Sequence, residues 1–268
     1  MLSGTTGALV GFVRWLETTR AAAPATIDRR LTGAVVGLRH HRAHLEPGAE
    51  RAARHALGGY KHRLAEAGIS RGRGKAHPIT LADLHSVSVS CPDTLAGRRE
   101  RAMVLLGFGI AARCSDLANL LATDITADHR GLIVTVRHGK SIGESQIPYG
   151  KHPHTCAVRA WQAWTTAAAI TDAHAFRRIT RHDTLSPAGL SPQAIDQAIT
   201  RAGERAGLPY TLTAHSLRSG FATEARRAGV ADHIIADQGR WKRGSTALHE
   251  YFRRIDAWTD NPLSKLDL

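Results

Sequence analysis

Residues 213–252 read TAHSLRSGFATEARRAGVADHIIADQGRWKRGSTALHEYF, and three helical segments can be cut from them. AHSLRSGFATEARRAG is the first and ends at an Ala-Gly-Val turn; ADHIIADQG is the second. GSTALHEYF opens the third and runs on through RRIDAW. His215 and Arg218 stand three apart and therefore share one helical face. Trp241 is followed ten residues later by Tyr251, which falls on the same helical face as Leu248 and Ile255. A mainly helical fold with polar, potentially reactive side chains near its C-terminus is the first expectation.

Working outward, the pattern from Ile79 onward is helical with one interruption. LIVTVRHGKSIGESQIPYG, residues 132–150, reads as strand, tight turn and strand, with Gly139, Lys140 and Gly143 at the tip. Before it, GIAARCSDLANLL sets Arg113 at the start of a helix with Asp116 one turn on. After it, CAVRAWQAWTTAA is periodic, and SPQAIDQAITRAGERAG opens with Ser191 at the N-cap and Pro192 at the first helical position. At the N-terminus, Leu9, Phe12, Val13 and Leu16 fall at helical spacing. So do Ile27, Leu31, Val35 and Leu38, then Ala53, Leu57, Tyr60 and Leu64. Basic residues such as Arg29, Arg30, Arg39, Arg42, Arg51, Arg54, Lys61 and Arg63 line the outer faces of these helices. SRGRGKAHPIT, residues 70–80, is Gly-rich, basic and nearly free of apolar residues, so it reads as a linker carrying Arg71, Arg73 and Lys75. The expected organisation is a helical domain over residues 1–70, a linker over 71–79 and a larger domain over 80–268, with a small antiparallel sheet near 131–149.

The 268 residues carry 36 Lys and Arg against 23 acids, a net +13. Such an excess favours a polyanionic partner, because neutralised phosphates release condensed counterions. Ribosomal proteins and membrane-surface binders share the signature, so charge alone does not choose. Cys91, Cys114 and Cys156 are too few and scattered for a disulfide framework or zinc knuckle, and they suit a reducing cytoplasm. The segments HHRAH (His40, His41, His44) and HPHTC (His152, His154, Cys156) lack the separated ligand pairs of a zinc site. No apolar run approaches the ~20 residues that span a bilayer, and MLSGTTGALVGFVRWLE lacks the basic leader and cleavage site of a signal peptide. A soluble, cytoplasmic protein without bound metal or other cofactor is expected, with no membrane partner.

Taken singly, each reactive residue has a plain reading. Arg113 and Arg218 could be surface ion-pair partners, Lys140 a solvated turn residue, His215 one structural histidine among 16, and Trp241 and Tyr251 packing. Taken in order, they resemble the tyrosine recombinase family of phage integrases. Its signature is an Arg, a hairpin Lys, an H-x-x-R, a His or Trp, and a C-terminal Tyr. The resemblance runs from Pro78 to Leu268 and takes in the LAGRRERA helix, the IPYG strand end and the AGV turn. The helical N-terminus resembles, more weakly, the family's core-binding domain. Three features depart from the pattern. Tyr251 lies one residue further from Trp241 than is usual, the N-terminal module is short by about one helix, and Ala111-Ala112 replaces a customary Leu-Arg.

The resemblance implies a site-specific recombinase or integrase that cuts and rejoins double-stranded DNA through a 3′-phosphotyrosyl intermediate. A type IB topoisomerase-like enzyme and an inactive DNA-binding protein of the same fold are the alternatives. It implies a helical core-binding domain and an α+β catalytic domain closing as a C-shaped clamp on duplex DNA, with Arg29, Arg30, Arg71, Arg73 and Lys75 on the phosphate backbone. The catalytic set would be Arg113, Lys140, His215, Arg218, Trp241 and Tyr251. Asp116 would support it by orienting Arg113 or His215. Each role suits its chemistry. Guanidiniums clamp the non-bridging oxygens bidentately. Tyr attacks and is also a tolerable leaving group. Lys140 protonates the departing 5′-oxygen and His215 assists Tyr251. Trp241 packs and offers one N–H. No ATP or metal is required. The tail IDAWTDNPLSKLDL looks like the family's C-terminal segment, with Trp258, Leu263 and Leu266 as anchors on a neighbouring protomer. A monomer or weak dimer in solution and a tetramer on paired sites follow.

Overall fold

The computed structural model describes residues 3–72, 74–138, 141–259, 261, 263 and 266, with the side chains of 3, 138, 141 and 253–259 excepted. The chain divides into two compact units, residues 1–75 and 76–268.

The first unit contains β1 (Ser3–Gly4), α1 (Thr6–Thr18), α2 (Pro24–His40), β2 (His44–Leu45) and α3 (Ala49–Glu66). Its core is the three expected apolar stripes: Leu9, Val13 and Leu16 meet Ile27, Leu31 and Val35, and Ala53, Leu57, Tyr60 and Leu64 close over both. Thr5 caps α1 by accepting from Ala8 N, and Pro24 opens α2 at a position that needs no N–H donor. The parallel pairing of β1 with β2 was not expected; two residues per strand are too few to leave a pattern. The basic outer surface is less free than the sequence suggests. Arg39 pairs with Glu50, Arg54 with Asp28 and Glu50, and Arg63 with Glu17. Helical proximity thus consumes part of the charge within the unit.

The second unit runs α4 (Leu81–Ser90), α5 (Leu95–Gly109), α6 (Cys114–Asn119), β3 (Ile125–Asp128), β4 (Gly131–His138), β5 (Ser141–Pro148) and α7 (Ala157–Ala168). Then follow β6 (Arg177–Ile179), β7 (Leu185–Gly189), α8 (Pro192–Arg205), α9 (Ala214–Arg227), α10 (Asp232–Gln238) and α11 (Thr246–Thr259). Helix α5 is apolar on nearly every face from Ala102 to Gly107 and fully buried there, as a central helix must be. A single large core gathers around it from α4, α6, α7, α8, α9 and the sheet. In β4, Leu132, Val134 and Val136 alternate into that core. The antiparallel register pairs His138 with Ser141, leaving Gly139 and Lys140 between the strands; both lie outside the described residues.

Three expectations need correction. The sheet has a third strand, β3, paired with β4. A second hairpin, β6–β7, breaks what was read as uninterrupted helix; its strands are short, polar and interrupted by Pro187, so no alternation betrays them. The expected linker is also shorter. The chain divides after Lys75, and Ile79 is fully buried in the second core with its N–H bonded to Ser216 O at 3.1 Å. Among the described residues no helix is long and apolar enough to cross a membrane.

A small separate cluster completes this unit. Leu248 and Phe252 of α11 pack on Ala222 of α9 and on Ile235 and Ala236 of α10, with Trp241 and Tyr251 at its edge. Leu248 was the expected neighbour of Tyr251. Phe252 takes the buried position beside it, and the Ile255 side chain lies outside the described residues.

Candidate active site

The site is built on the C-terminal end of α5. That helix ends in a left-handed residue, Ala111, with φ +46°. The N–H of Ala112 returns to Gly107 O at 2.8 Å and that of Ala111 to Phe108 O at 2.9 Å, which closes the helix as a Schellman-type turn. The carbonyls of Gly109, Ile110 and Ala111 are thereby turned outward in succession. Gln238 Nε2 donates to the first at 3.0 Å, Arg240 Nη2 to the second at 2.8 Å, and Arg218 Nη1 to the third at 2.5 Å. Two cations thus sit at the partially negative end of a helix, where they are stabilised.

Arg113 follows at once as the N-cap of α6. Asp116 Oδ2 accepts the Arg113 backbone N–H at 3.0 Å and lies 3.9 Å from Arg113 Nη1. Asp116 is buried whereas the Arg113 side chain is 40 % exposed: the carboxylate anchors the root of a guanidinium that remains open to solvent. Of the two partners expected for Asp116, Arg113 and His215, the described contacts include Arg113, and they add Arg240, whose Nη2 stands 3.4 Å from the same oxygen.

On α9, Thr213 caps the helix through Ser216 N, so that His215 lies exposed in its first turn while Arg218, one turn on, is buried. Arg218 Nη1 also donates to Gly239 O at 2.8 Å, and the Trp241 ring lies 3.8 Å from its Cζ, within the range of a cation–π contact. Arg218 Nη2 is buried with no hydrogen-bond partner among the described residues. A buried donor left unpaired is costly and rare, and an anion lying beside it would satisfy it. Burial, together with Arg113 and Arg240, pushes the Arg218 pKa down to about 9, which still leaves it charged at neutral pH.

Tyr251 projects from α11 with its hydroxyl 2.9 Å from His215 Nε2. Its ring centroid stands 6.1 Å from those of both His215 and Trp241. Packing around the imidazole, with the charges of Arg218 and Arg113, holds His215 below its ordinary pKa; burial holds Tyr251 above its own, against the pull of the same two arginines. At neutral pH the pair is therefore a phenol beside a neutral imidazole; in the tautomer protonated at Nδ1 the phenol donates to Nε2, the arrangement in which a base can take the phenolic proton.

The structure brings together Arg113, Asp116, His215, Arg218, Trp241 and Tyr251, drawn from α6, α9, α11 and the loop between α10 and α11. Lys140 lies outside the described residues, as do Arg73 and the Trp258 side chain. Leu263 and Leu266 are exposed. In the first unit Arg29 and Arg30 are exposed on α2, and Arg71 lies with its guanidinium 5.9 Å from the Tyr60 ring. Lys75 is exposed. Sequence reasoning missed Arg240. Its one local signal is an arginine between Gly239 and Trp241; what makes it part of the site is contact with residues about 95 to 130 positions away.

The chain matches the model of the phage integrase family over residues 84–257. It is 33 % identical over 201 residues to an integrase/recombinase xerD homolog of Selenomonas ruminantium, which covers 72 % of this chain and 58 % of that protein. It is 34 % identical over 141 residues to the tyrosine recombinase XerA of Thermococcus kodakarensis, covering 52 % of this chain and 46 % of that one. The chain therefore spans about half the length of these relatives. Among solved structures, the XerH site-specific recombinase bound to a palindromic difH substrate in a post-cleavage complex aligns with a TM-score of 0.58 at 13 % identity. That alignment covers 96 % of this chain and 72 % of the other, and the likeness is one of fold.

Proposed function

Because the chain belongs to the phage integrase family, we propose that it is a site-specific DNA recombinase that breaks and rejoins double-stranded DNA through Tyr251. The observation that carries this reading is the Tyr251 hydroxyl bonded to His215 Nε2 at 2.9 Å, beside the Arg218 and Arg113 guanidiniums. Tyr251 Oη attacks the scissile phosphorus and its proton passes to His215 Nε2. The bond to the 5′-oxygen breaks as the 3′-phosphotyrosyl bond forms, and Lys140 supplies the proton that the departing 5′-oxygen needs. Arg113, open to solvent, and Arg218, through its buried Nη2, balance the charge that grows on the non-bridging oxygens; losing one such donor costs about 10²–10³ in rate. Trp241 holds Arg218 in place from its ring face. Attack by a 5′-hydroxyl on the phosphotyrosine reverses the step, so the strand is resealed without ATP, and the chemistry proceeds in the presence of EDTA.

Double-stranded DNA is the proposed partner, with Arg29, Arg30, Arg71, Arg73 and Lys75 on its backbone. A cytoplasmic protein, monomeric or weakly dimeric when free, would assemble as a tetramer on paired sites through its C-terminal segment. The test uses a nicked duplex in which the cleaved end is lost, followed by denaturing electrophoresis. Wild type should form a covalent adduct and Tyr251→Phe none, while Tyr251→Phe still binds the duplex. An adduct from Tyr251→Phe would assign the nucleophile elsewhere. No adduct from wild type would favour an inactive DNA-binding protein. Supercoil relaxation by monomers without strand exchange would favour a topoisomerase.

A further inference from the structure

Arg240 occupies a backbone conformation that its type avoids, with φ at +55°. A strained residue of this kind persists where its surroundings over-determine it, and here the guanidinium supplies the determination. Nη2 donates to Ile110 O at 2.8 Å and stands 3.4 Å from Asp116 Oδ2. Nη1 donates to Ser145 Oγ at 3.0 Å and to Gln238 O at 3.3 Å. The side chain is 13 % exposed. Strand β5 passes it closely: a Cβ on Gly143 would lie 2.9 Å from Arg240 Cδ.

One guanidinium therefore joins three parts of the site. It holds the turn that leads into Arg113. It shares Asp116 Oδ2 with the backbone and side chain of Arg113. Through Ser145 it grips the strand that follows Lys140 in sequence. A swing of Asp116 that released Arg113 would also part it from Arg240.

We infer that Arg240 is a positioning residue for DNA cleavage, fixing Asp116 and thereby Arg113 while tethering β5 to the same frame. The inference rests on the recombinase reading above. Lysine cannot replace it, because a single ammonium cannot meet acceptors spread around a planar fork.

The test compares wild type with Arg240→Lys, Arg240→Gly, Arg113→Lys and the Arg113→Lys/Arg240→Gly double variant. Glycine suits the backbone at this position, so Arg240→Gly removes the guanidinium without adding strain. Single-turnover adduct formation, duplex Kd and thermal melting are read for each. Both Arg240 variants should melt cooperatively and bind the duplex within about threefold of wild type, yet cleave about 10- to 100-fold more slowly, the scale on which orienting partners act. The double variant should cleave within about threefold of Arg113→Lys, because residues acting through one another are not additive. Unchanged cleavage in both single variants, fully additive losses in the double variant, or loss of the cooperative melt in both would each overturn the inference. Any of these with an active wild type overturns the inference alone; a wild type that forms no adduct overturns the recombinase reading and the inference with it.

Discussion

The protonation states of two side chains set how the reaction should respond to pH. His215 is held below its ordinary value and Tyr251 above its own, so the pair is neutral across mid-range pH. Protonation removes the acceptor at Nε2. Adduct formation should therefore be flat from about pH 7 to 8 and fall on the acid side, with a midpoint below the ~6.5 of a free imidazole. His215→Ala should lower the plateau by about 10²–10⁴ and abolish that acid limb. An acid midpoint above 7, or an acid limb unchanged in His215→Ala, would mean that another group accepts the proton. The same shift acts on folding. A base with a depressed folded pKa contributes stability that is present above pH 6.5 and lost as pH falls through the folded value.

Helix α9 carries His215 and Arg218, so its seating governs both. Gly220, on the same helix, lies against the segment that enters the second unit: a Cβ there would meet Ile79 Cγ2 and O at 2.5 Å and Ile79 N at 2.9 Å. Two of those atoms are backbone, so the helix itself must shift. Gly220→Ala should cost about 1–3 kcal/mol by overpacking and lower Tm by about 5 °C, with a matching loss of cleavage. Gly107→Ala is the contrast, since its Cβ would meet the Leu217 and Leu117 methyls at 3.1 and 3.2 Å and flexible side-chain ends can give. Equal melting shifts in the two variants would refute this account of α9. Elements were legible in the sequence in proportion to their periodicity. The long helices and the 131–148 hairpin were plain, down to Ser191 capping and Pro192 opening α8. The β6–β7 hairpin and the two-residue pair β1–β2 were not, because their pairing is decided by packing rather than by pattern. The site divides in the same way. His215 and Arg218 share a helical face that can be counted, whereas the Tyr251–His215 bond, the Trp241–Arg218 stack and Arg240 exist only after distant segments meet.

Across the whole molecule, a net charge of +13 predicts duplex affinity that falls steeply with salt, with a log–log slope of about −0.9 per phosphate contacted. The arginines of the first unit should not contribute equally. Arg29 and Arg30 are exposed, and replacing either by alanine should make the slope shallower by about 1. Arg54 is engaged by Asp28, Glu50 and Thr32, so Arg54→Ala should leave the slope unchanged and cost less than about 1 kcal/mol of stability. Identical slopes for all three variants would remove α2 from the DNA-facing surface.

Among the described residues, the helix bearing Tyr251 rests on the small cluster of Ala222, Ile235, Ala236, Leu248 and Phe252 rather than on the large core around α5. Among the described residues little apolar surface secures it, and we predict that α11 opens without unfolding the rest of its unit. In hydrogen-exchange experiments its amides should exchange well ahead of those of α5 and through a sub-global opening. Amides of α11 as slow as those of α5 would exclude such an opening. On the recombinase reading proposed above, the cleavage rate becomes a product of two quantities, the reactivity of the seated tyrosine and the fraction of molecules in which it is seated. Anything that binds α11 acts on the second factor and can throttle the nucleophile without touching a single group that handles the phosphate.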